Sequence, residues 1–434
     1  MPILSLPVEI NLTIIGEILK PKDGLHSSND DTDTDSDHSL HKAARRQRLA
    51  SFRDIACISK AWVDPARTAF WKEINIFSIR ELVALAHAFD KPSAKPTCIR
   101  SVYFRFPDFL FRSGSSERHL AEEALTCFPV ILHYLPAHLD VLHVNCPYNY
   151  SPLNEALYKC MQAACRDHTW AIEVPKLIIG ARPLHCDIFP YFAFARNVVQ
   201  LVLNVNQYDT EETFSSSPHS MQLESFSIQM TFDGPTLYNH PMSSVTKAVS
   251  QVLRSACMEL RSLVITLFNA CRIDPKTCAN LRAVKHILSL CGPSTNNLDL
   301  RAVRFSCNIS KELAEAEIVV RCPALRCLRL NKFGVHPDFF RQLGCSELRQ
   351  LEVDMPQDDV DASAVRGDGD TLLNLLASLE LPELANLERL EITEEIAYPS
   401  RPPIEVWLPL ERACAARNIA CSIRHPRRTL QATS

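Results

Sequence analysis

The sequence is short of glycine, with 10 residues in a chain of 434, about a third of the usual share. Phosphate cradles need glycine where the backbone closes on a pyrophosphate, and no Gly-x-x-x-x-Gly-Lys occurs. His-Glu-x-x-His and Gly-x-Ser-x-Gly are missing too, so neither a zinc-protease helix nor a nucleophile elbow is present. Neither sign of charge dominates: 46 Lys+Arg against 50 Asp+Glu leave −4, which argues against a whole-chain binder of nucleic acid or anionic membrane. No uninterrupted apolar run approaches the roughly 18 residues of a bilayer span. The opening MPILSLPVEINLTIIGEILK lacks a basic start and carries Glu9 and Glu17, unlike a secretory signal. Cysteine is plentiful at 17, yet no Cys-x-x-Cys pair exists. The nearest approaches, Cys160/Cys165 and Cys322/Cys327, are poorly spaced for a zinc knuckle. The composition therefore predicts a reduced, soluble, intracellular protein, cytoplasmic and/or nuclear, with no cofactor and no membrane or nucleic-acid partner.

What is present begins with an amphipathic helix over residues 6–19. Pro7 suits its first turn and Glu9 the positive end of its dipole. Ile10, Ile14 and Ile18 form one stripe, and Leu12, Ile15 and Leu19 a neighbouring one. Residues 23–37 then hold six aspartates and no Lys or Arg. Asp31, Asp33 and Asp35 alternate as in a calcium loop, but the sixth position is Ser36 rather than Gly and the twelfth Lys42 rather than Glu. A solvated disordered insertion over 22–39 is the reading that its charge supports. Helical spacing resumes with Leu49, Phe52, Ile55 and Ser59 beside Ile58 and Trp62. Asp64-Pro65 is a good N-cap and N1 pair, which predicts a third helix carrying Ala66, Phe70 and Trp71. Ile74 and Ile76 then alternate like a strand.

Leu6-Pro7-Val8-Glu9-Ile10, Ile14-Ile15 and Ile18, Ile58-Ser59-Lys60-Ala61-Trp62 and Trp71-Lys72-Glu73-Ile74 together resemble an F-box, in the family's order. The acidic insertion departs from the family, which has a short turn there. Closing so long a loop costs about 2 kcal/mol, because the entropy grows only logarithmically. The resemblance implies docking on a Skp-type adaptor through Leu6, Pro7, Ile10, Ile14, Ile18, Ile58, Ser59, Trp62 and Trp71. Through that adaptor it implies cullin and RING subunits of an SCF-type ubiquitin ligase. A small helical cap on a larger domain is the plainer alternative.

From about residue 97 the phrase apolar-x-x-apolar-x-apolar recurs. It reads Ile99-Val102-Phe104, Leu139-Leu142-Val144, Val174-Leu177-Ile179, Val198-Leu201-Leu203, Leu223-Phe226-Ile228 and Leu260-Leu263-Ile265. It continues with Leu298-Leu300, Leu325-Leu328-Leu330, Leu348-Leu351-Val353 and Leu387-Leu390-Ile392. Full phrases start 23 to 40 residues apart, except for a wider step around Leu298. Helical stretches at 119–134, 153–166, 245–257 and 371–380 fall between them. A strand, a return helix and another parallel strand resemble the leucine-rich repeat. The asparagine ladder of that family is absent, its place being taken by Pro147, Thr231, Phe268, Phe333, Pro356 and Glu395. The expected fold class is α/β: a three-helix F-box over residues 1–76, an irregular leucine-rich-repeat solenoid of parallel strands over 77–425, and a tail over 426–434. An ordinary α/β domain is the alternative, but strands buried on both faces read as continuous apolar runs.

Side chains alternate along a strand, so the central x of each phrase and the residue after the phrase share a face. That face offers Tyr103, Arg105, His143 and Asn145 early, then Arg329, Asn331, Glu352, Asp354, Glu391 and Thr393, and is expected to drift from basic-aromatic to acidic. It is the candidate surface for an unidentified target protein. A second acidic loop is expected over 354–370, including Gly367 and Gly369, and a basic tail runs from Arg424 to Arg428. The cluster His133, His138, His143 and Cys146 has ligand chemistry but the wrong spacing for one helix face or one strand face. No catalytic residue is identified. Three functional classes follow: a ligase substrate receptor, a non-ligase repeat scaffold with an F-box-like cap, and, disfavoured by that spacing, a thiol or metal enzyme.

Overall fold

The computed structural model describes residues 50, 54, 60–76, 79–89, 91, 96–105, 115–146, 172–181, 195–206, 223–232, 260–269, 279–303, 309–315, 321–354, 367–393 and 407–424. The helix expected over 6–19, the acidic insertion, Ile58 and Ser59, the return helices at 153–166 and 245–257, and the tail over 426–434 lie outside them. The chain divides into two compact units, one of residues Met1–Pro175 and Phe194–Arg196, the other of Lys176–Ala193 and Asn197–Ser434.

In the first unit, α1 (Lys60–Trp71) leads into β1 (Glu73–Ile76). Then come α2 (Ile79–Phe89), β2 (Ser101–Arg105), α3 (Ser115–Tyr134) and β3 (Val141–Cys146). The three strands are parallel and in order, with Ile74 level with Val102 and Leu142. All three side chains are buried, as are Ile76, Phe104 and Val144 in the next row. Phe128 of α3 meets Phe104 edge-on at 5.5 Å between centroids, so the helix covers that apolar face. A second pair of two-residue strands, Ile172–Glu173 and Ala195–Arg196, also runs parallel. The expected break at Asp64-Pro65 is not there: α1 runs through Pro65. One missing N–H removes a single helical bond, and Ala66 and Ala69 in the turn that follows are buried.

In the second unit, the described residues carry nine parallel strands in sequence order. They are β4 (Lys176–Ala181), β5 (Gln200–Asn206), β6 (Ser225–Phe232), β7 (Ser262–Asn269) and β8 (Asn297–Val303). β9 (Cys327–Asn331), β10 (Gln350–Asp354), β11 (Arg389–Thr393) and β12 (Ala420–Arg424) complete the series. From β7 onward each crossover carries a helix: α4 (Ala279–Cys291), α5 (Ile309–Glu315), α6 (Pro337–Leu343), α7 (Gly367–Leu379) and α8 (Leu408–Ala416). Parallel strands require such returns. Gly367 and Gly369 open α7 rather than extend the acidic loop expected over 354–370.

The recurring phrase now has a physical meaning. Leu263, Leu298, Leu328, Leu351 and Leu390 align across five strands, and Ile265, Leu300, Leu330, Val353 and Ile392 form the next row. Every one of these side chains is buried. The first apolar position lies just before each strand, as at Leu260, Leu325 and Leu348, all buried. At the anomalous step before β8 that position is Thr295, also buried, whose hydroxyl donates to the Cys291 carbonyl at 2.8 Å. A satisfied hydroxyl can replace a leucine there, because its main burial cost is offset by the hydrogen bond. The strands from β6 to β11 start in one way. Two successive N–H groups donate to one carbonyl of the preceding repeat, as from Arg326 and Cys327 to Asn296 at 2.8 and 3.0 Å, and from Arg349 and Gln350 to Arg326 at 2.9 and 3.0 Å.

Two of the few glycines are needed for opposite reasons. A Cβ at Gly292 would lie 2.6 Å from the Leu288 carbonyl oxygen and 2.8 Å from the Cys322 sulfur. Gly344 instead ends α6 at φ 53, donating its N–H to the Phe340 carbonyl at 3.1 Å, and a Cβ there would meet only Arg321 Cγ at an ordinary 3.9 Å. We expect Gly292→Ala to cost about 1–3 kcal/mol by overpacking, and Gly344→Ala about 1 kcal/mol by left-handed strain. Gly344→Asn should recover part of the second loss, since asparagine tolerates that backbone region, whereas Gly292→Asn should worsen the first. Urea midpoints of the four variants measure all of this.

Candidate binding surface

The face opposite the apolar rows is built by strand alternation. In the first unit it aligns Asn75, Tyr103 and His143. The Tyr103 and His143 rings meet edge-on at 5.9 Å. Arg105 and Asn145 pair in register one step further along β2 and β3. Trp62 lies in the first turn of α1. Trp71, at its end, stacks on Phe89 of α2 at 5.5 Å, and Phe89 in turn meets Tyr134 of α3 at 5.2 Å. Trp71 thus packs within this unit's helical layer.

In the second unit one open row runs Ile178, Val202, Ser227, Val264, Asp299, Arg329, Glu352, Glu391 and Ser422. The row beside it runs Gly180, Asn204, Gln229, Thr266, Arg301, Asn331, Asp354, Thr393 and Arg424. The first four positions of each of these two rows are uncharged, and charge in them begins at β8. There it is laced together. Arg301 donates two bonds to Asp299 Oδ2, at 3.0 Å from Nε and 2.7 Å from Nη2. Arg329 reaches from β9 to β10, its Nη2 3.0 Å from Asp354 Oδ2 and its Nε 3.7 Å from Glu352 Oε2. Gln350 holds the other oxygen of Glu352 at 2.7 Å. Glu391, with its side chain 8% exposed, is gripped by Arg389 and by Arg424 from β12, the latter at 2.8 Å.

These contacts fix the electrostatics. Burial works against the Arg329 charge, but the hydrogen bond to Asp354 and the carboxylates of Asp354, Asp299 and Glu352 outweigh it and hold its pKa above the ordinary value. Cys327, in the row on the other side of Arg329, has its thiol pushed up by burial and then by Glu352 and Asp299. Asp299, Glu352, Asp354 and Glu391 stand against Arg301, Arg329, Arg389 and Arg424, four carboxylates to four guanidinia. The drift to an acidic end expected from the sequence is therefore not what the second unit presents; its charged patch is balanced. Asp299, Arg301 and Arg389 escaped the sequence reading, and Arg424, read there as the start of a basic tail, instead ends β12. Ile419, Cys421 and Ile423 alternate up to and along that strand without forming the full phrase, and that alternation was the available signal.

Deeper in this unit, burial pushes the Cys322 thiol up to about 12, and burial with the neighbouring Cys322 does the same for Cys345, also to about 12. Such thiols pack as small hydrophobes. In the first unit His138 Nδ1 lies 2.6 Å from Glu173 Oε2, while His133 faces Tyr134. Among the described residues no group of three or more His, Cys, Asp or Glu side chains is placed to hold a metal ion, and no helix is long and apolar enough to cross a membrane. No family model matches the chain, and no curated protein matches it.

Proposed function

We propose that this protein is the substrate-recognition subunit of an SCF-type cullin-RING ubiquitin ligase. By the F-box resemblance Leu6, Pro7, Ile10, Ile14, Ile18, Ile58, Ser59, Trp62 and Trp71 dock on the Skp-type adaptor, and the strand face holds a target protein. What supports this reading is the sequence resemblance of residues 6–74 to an F-box, followed along the chain by parallel strands with a polar open face. Catalysis would be proximity alone: the receptor raises the effective concentration of target near the ubiquitin-conjugating enzyme and contributes no reacting group. A second reading, a repeat scaffold with a helical cap and no ligase role, draws support from Trp71, whose stacking on Phe89 gives the end of the motif a packing task.

Adaptor capture by full-length protein separates the two. Wild type should bind, and Trp62→Ala with Ile58→Ala should bind at least about 30-fold more weakly, since a central interface aromatic carries about 2 kcal/mol or more. Circular dichroism must show that the variant keeps its fold. Wild type that fails to bind the adaptor sinks the ligase reading and leaves the scaffold.

A further inference from the structure

Among the described cysteines of the second unit, Cys291, Cys322 and Cys345 are buried in the core, while Cys414 and Cys421 are brought together across one tight turn. Cys414 lies in the last turn of α8 and is fully buried beside Leu410. Cys421 is the second residue of β12. Between them the chain reverses in a tight turn. The N–H groups of Arg417 and Ile419 both donate to the Cys414 carbonyl, at 3.1 and 2.9 Å, and Asn418 takes the left-handed φ of 57 that the reversal needs. Register puts Cys421 level with Leu390 of β11, which is level with Leu351 of β10, so its side chain points toward the apolar layer. α8 packs on β12 from that side. The two thiols meet there, and Cys414 donates a hydrogen bond to the Cys421 sulfur. β12 pairs on one side only among the described residues, so Cys421 is half-buried where Cys414 is sealed.

We propose that Cys414 and Cys421 are a redox pair that closes to a disulfide when the protein meets a peroxide. The half-buried Cys421 thiolate attacks one peroxide oxygen; the O–O bond breaks, the sulfur becomes a sulfenic acid, and the departing hydroxide takes a proton to leave as water. The Cys414 sulfur, already in contact, gives up its proton and displaces hydroxide from the Cys421 sulfur. The S–S bond forms and a second water leaves. Two thiols have then supplied two electrons and two protons to one peroxide. Sulfurs in hydrogen-bond contact need only close to about 2 Å. The same hydrogen bond lowers the Cys421 pKa, against burial and the nearby Glu411 carboxylate, and together with burial raises that of Cys414. That assigns the attacking role to Cys421 and the resolving role to Cys414. Cys322 and Cys345, buried and held to about 12, are the built-in contrast.

The test exposes full-length protein to dilute hydrogen peroxide, blocks remaining thiols after unfolding, and maps cysteines by mass spectrometry without reduction. Trypsin cuts after Arg412, Arg417 and Arg424, so the peptides 413–417 and 418–424 fall apart in the reduced protein. They should stay joined in the oxidised one, lighter by two hydrogens, while Cys322 and Cys345 remain blocked as thiols. Cys414→Ser, shown to be folded by circular dichroism, should stop at a Cys421 sulfenic acid that a dimedone-type reagent traps. Should Cys414→Ser unfold, Cys421→Ser on the strand edge should likewise abolish the joined peptide. Three results would overturn the pair: both thiols still reduced at a peroxide dose that consumes free cysteine, a sulfenic acid persisting on wild-type Cys421, or either cysteine joined elsewhere.

Discussion

Leu328→Asp is expected to abolish cooperative folding of the second unit. Leu328 is fully buried on β9, flanked in register by Leu298 and Leu351, which are themselves buried. A carboxylate there would meet the apolar side chains of Leu298 and Leu351 in register on both sides. It must either stay charged without water or take up a proton, and both routes cost several kcal/mol. Losses above about 4–5 kcal/mol are exceptional and take a large part of the 5–15 kcal/mol that holds a domain. Position matters more than the charge itself. Arg329→Gln, one residue along and on the opposite face, replaces a half-exposed arginine and should cost about 1 kcal/mol. Urea unfolding followed by far-ultraviolet circular dichroism should show no folded baseline for the first variant and a modest shift for the second. A normal midpoint for Leu328→Asp would mean that the row is not sealed.

The second large effect is expected at Phe340 of α6. Its side chain is fully buried, 6.2 Å between centroids from Phe339, which stands at the same distance from Phe333 beyond β9. Phe340→Ala should cost about 3–5 kcal/mol, because the lost transfer energy is joined by a cavity that its neighbours fill only in part. Phe340→Leu keeps most of the volume and should cost much less. The helix end should survive both changes, since the bond from Gly344 goes to the Phe340 carbonyl rather than to its side chain. The check is the pair of denaturant midpoints, with hydrogen exchange at Gly344 reporting the cap.

The repeating strands were legible because each is announced by leucine at fixed offsets, and the register of β7 to β11 aligns those very residues. Thr295 was not legible as a core position: its hydroxyl is acceptable there only because the Cys291 carbonyl lies within reach, and that is a fact about the end of α4 rather than about the residue. Pro65 misled because Asp-Pro is a sound helix start in isolation, whereas here the helix runs from Lys60 through it and buries Ala66 and Ala69 beyond it. The open face was half legible. Glu352, Asp354 and Arg329 followed from alternation alone, whereas their pairing, and the arrival of Arg424 at Glu391, depend on which strands become neighbours. Glycine at 367 and 369 read as a loop signal, yet both residues fall in the opening turn of α7, where the helix leaves its first N–H groups without intrahelical partners in any case.

The laced charges on β8–β12 have a kinetic consequence. Four positive and four negative groups packed within one patch cancel at a distance, and at physiological salt the screening length is only about 8 Å. These eight groups therefore add little long-range steering of their own to an encounter on this face. Association there is governed by fit and by how readily a newcomer can share Arg329 or Arg424 with the carboxylates that already hold them. Its rate should change little as salt is added, while its selectivity rests on the rearrangement of bonds already made.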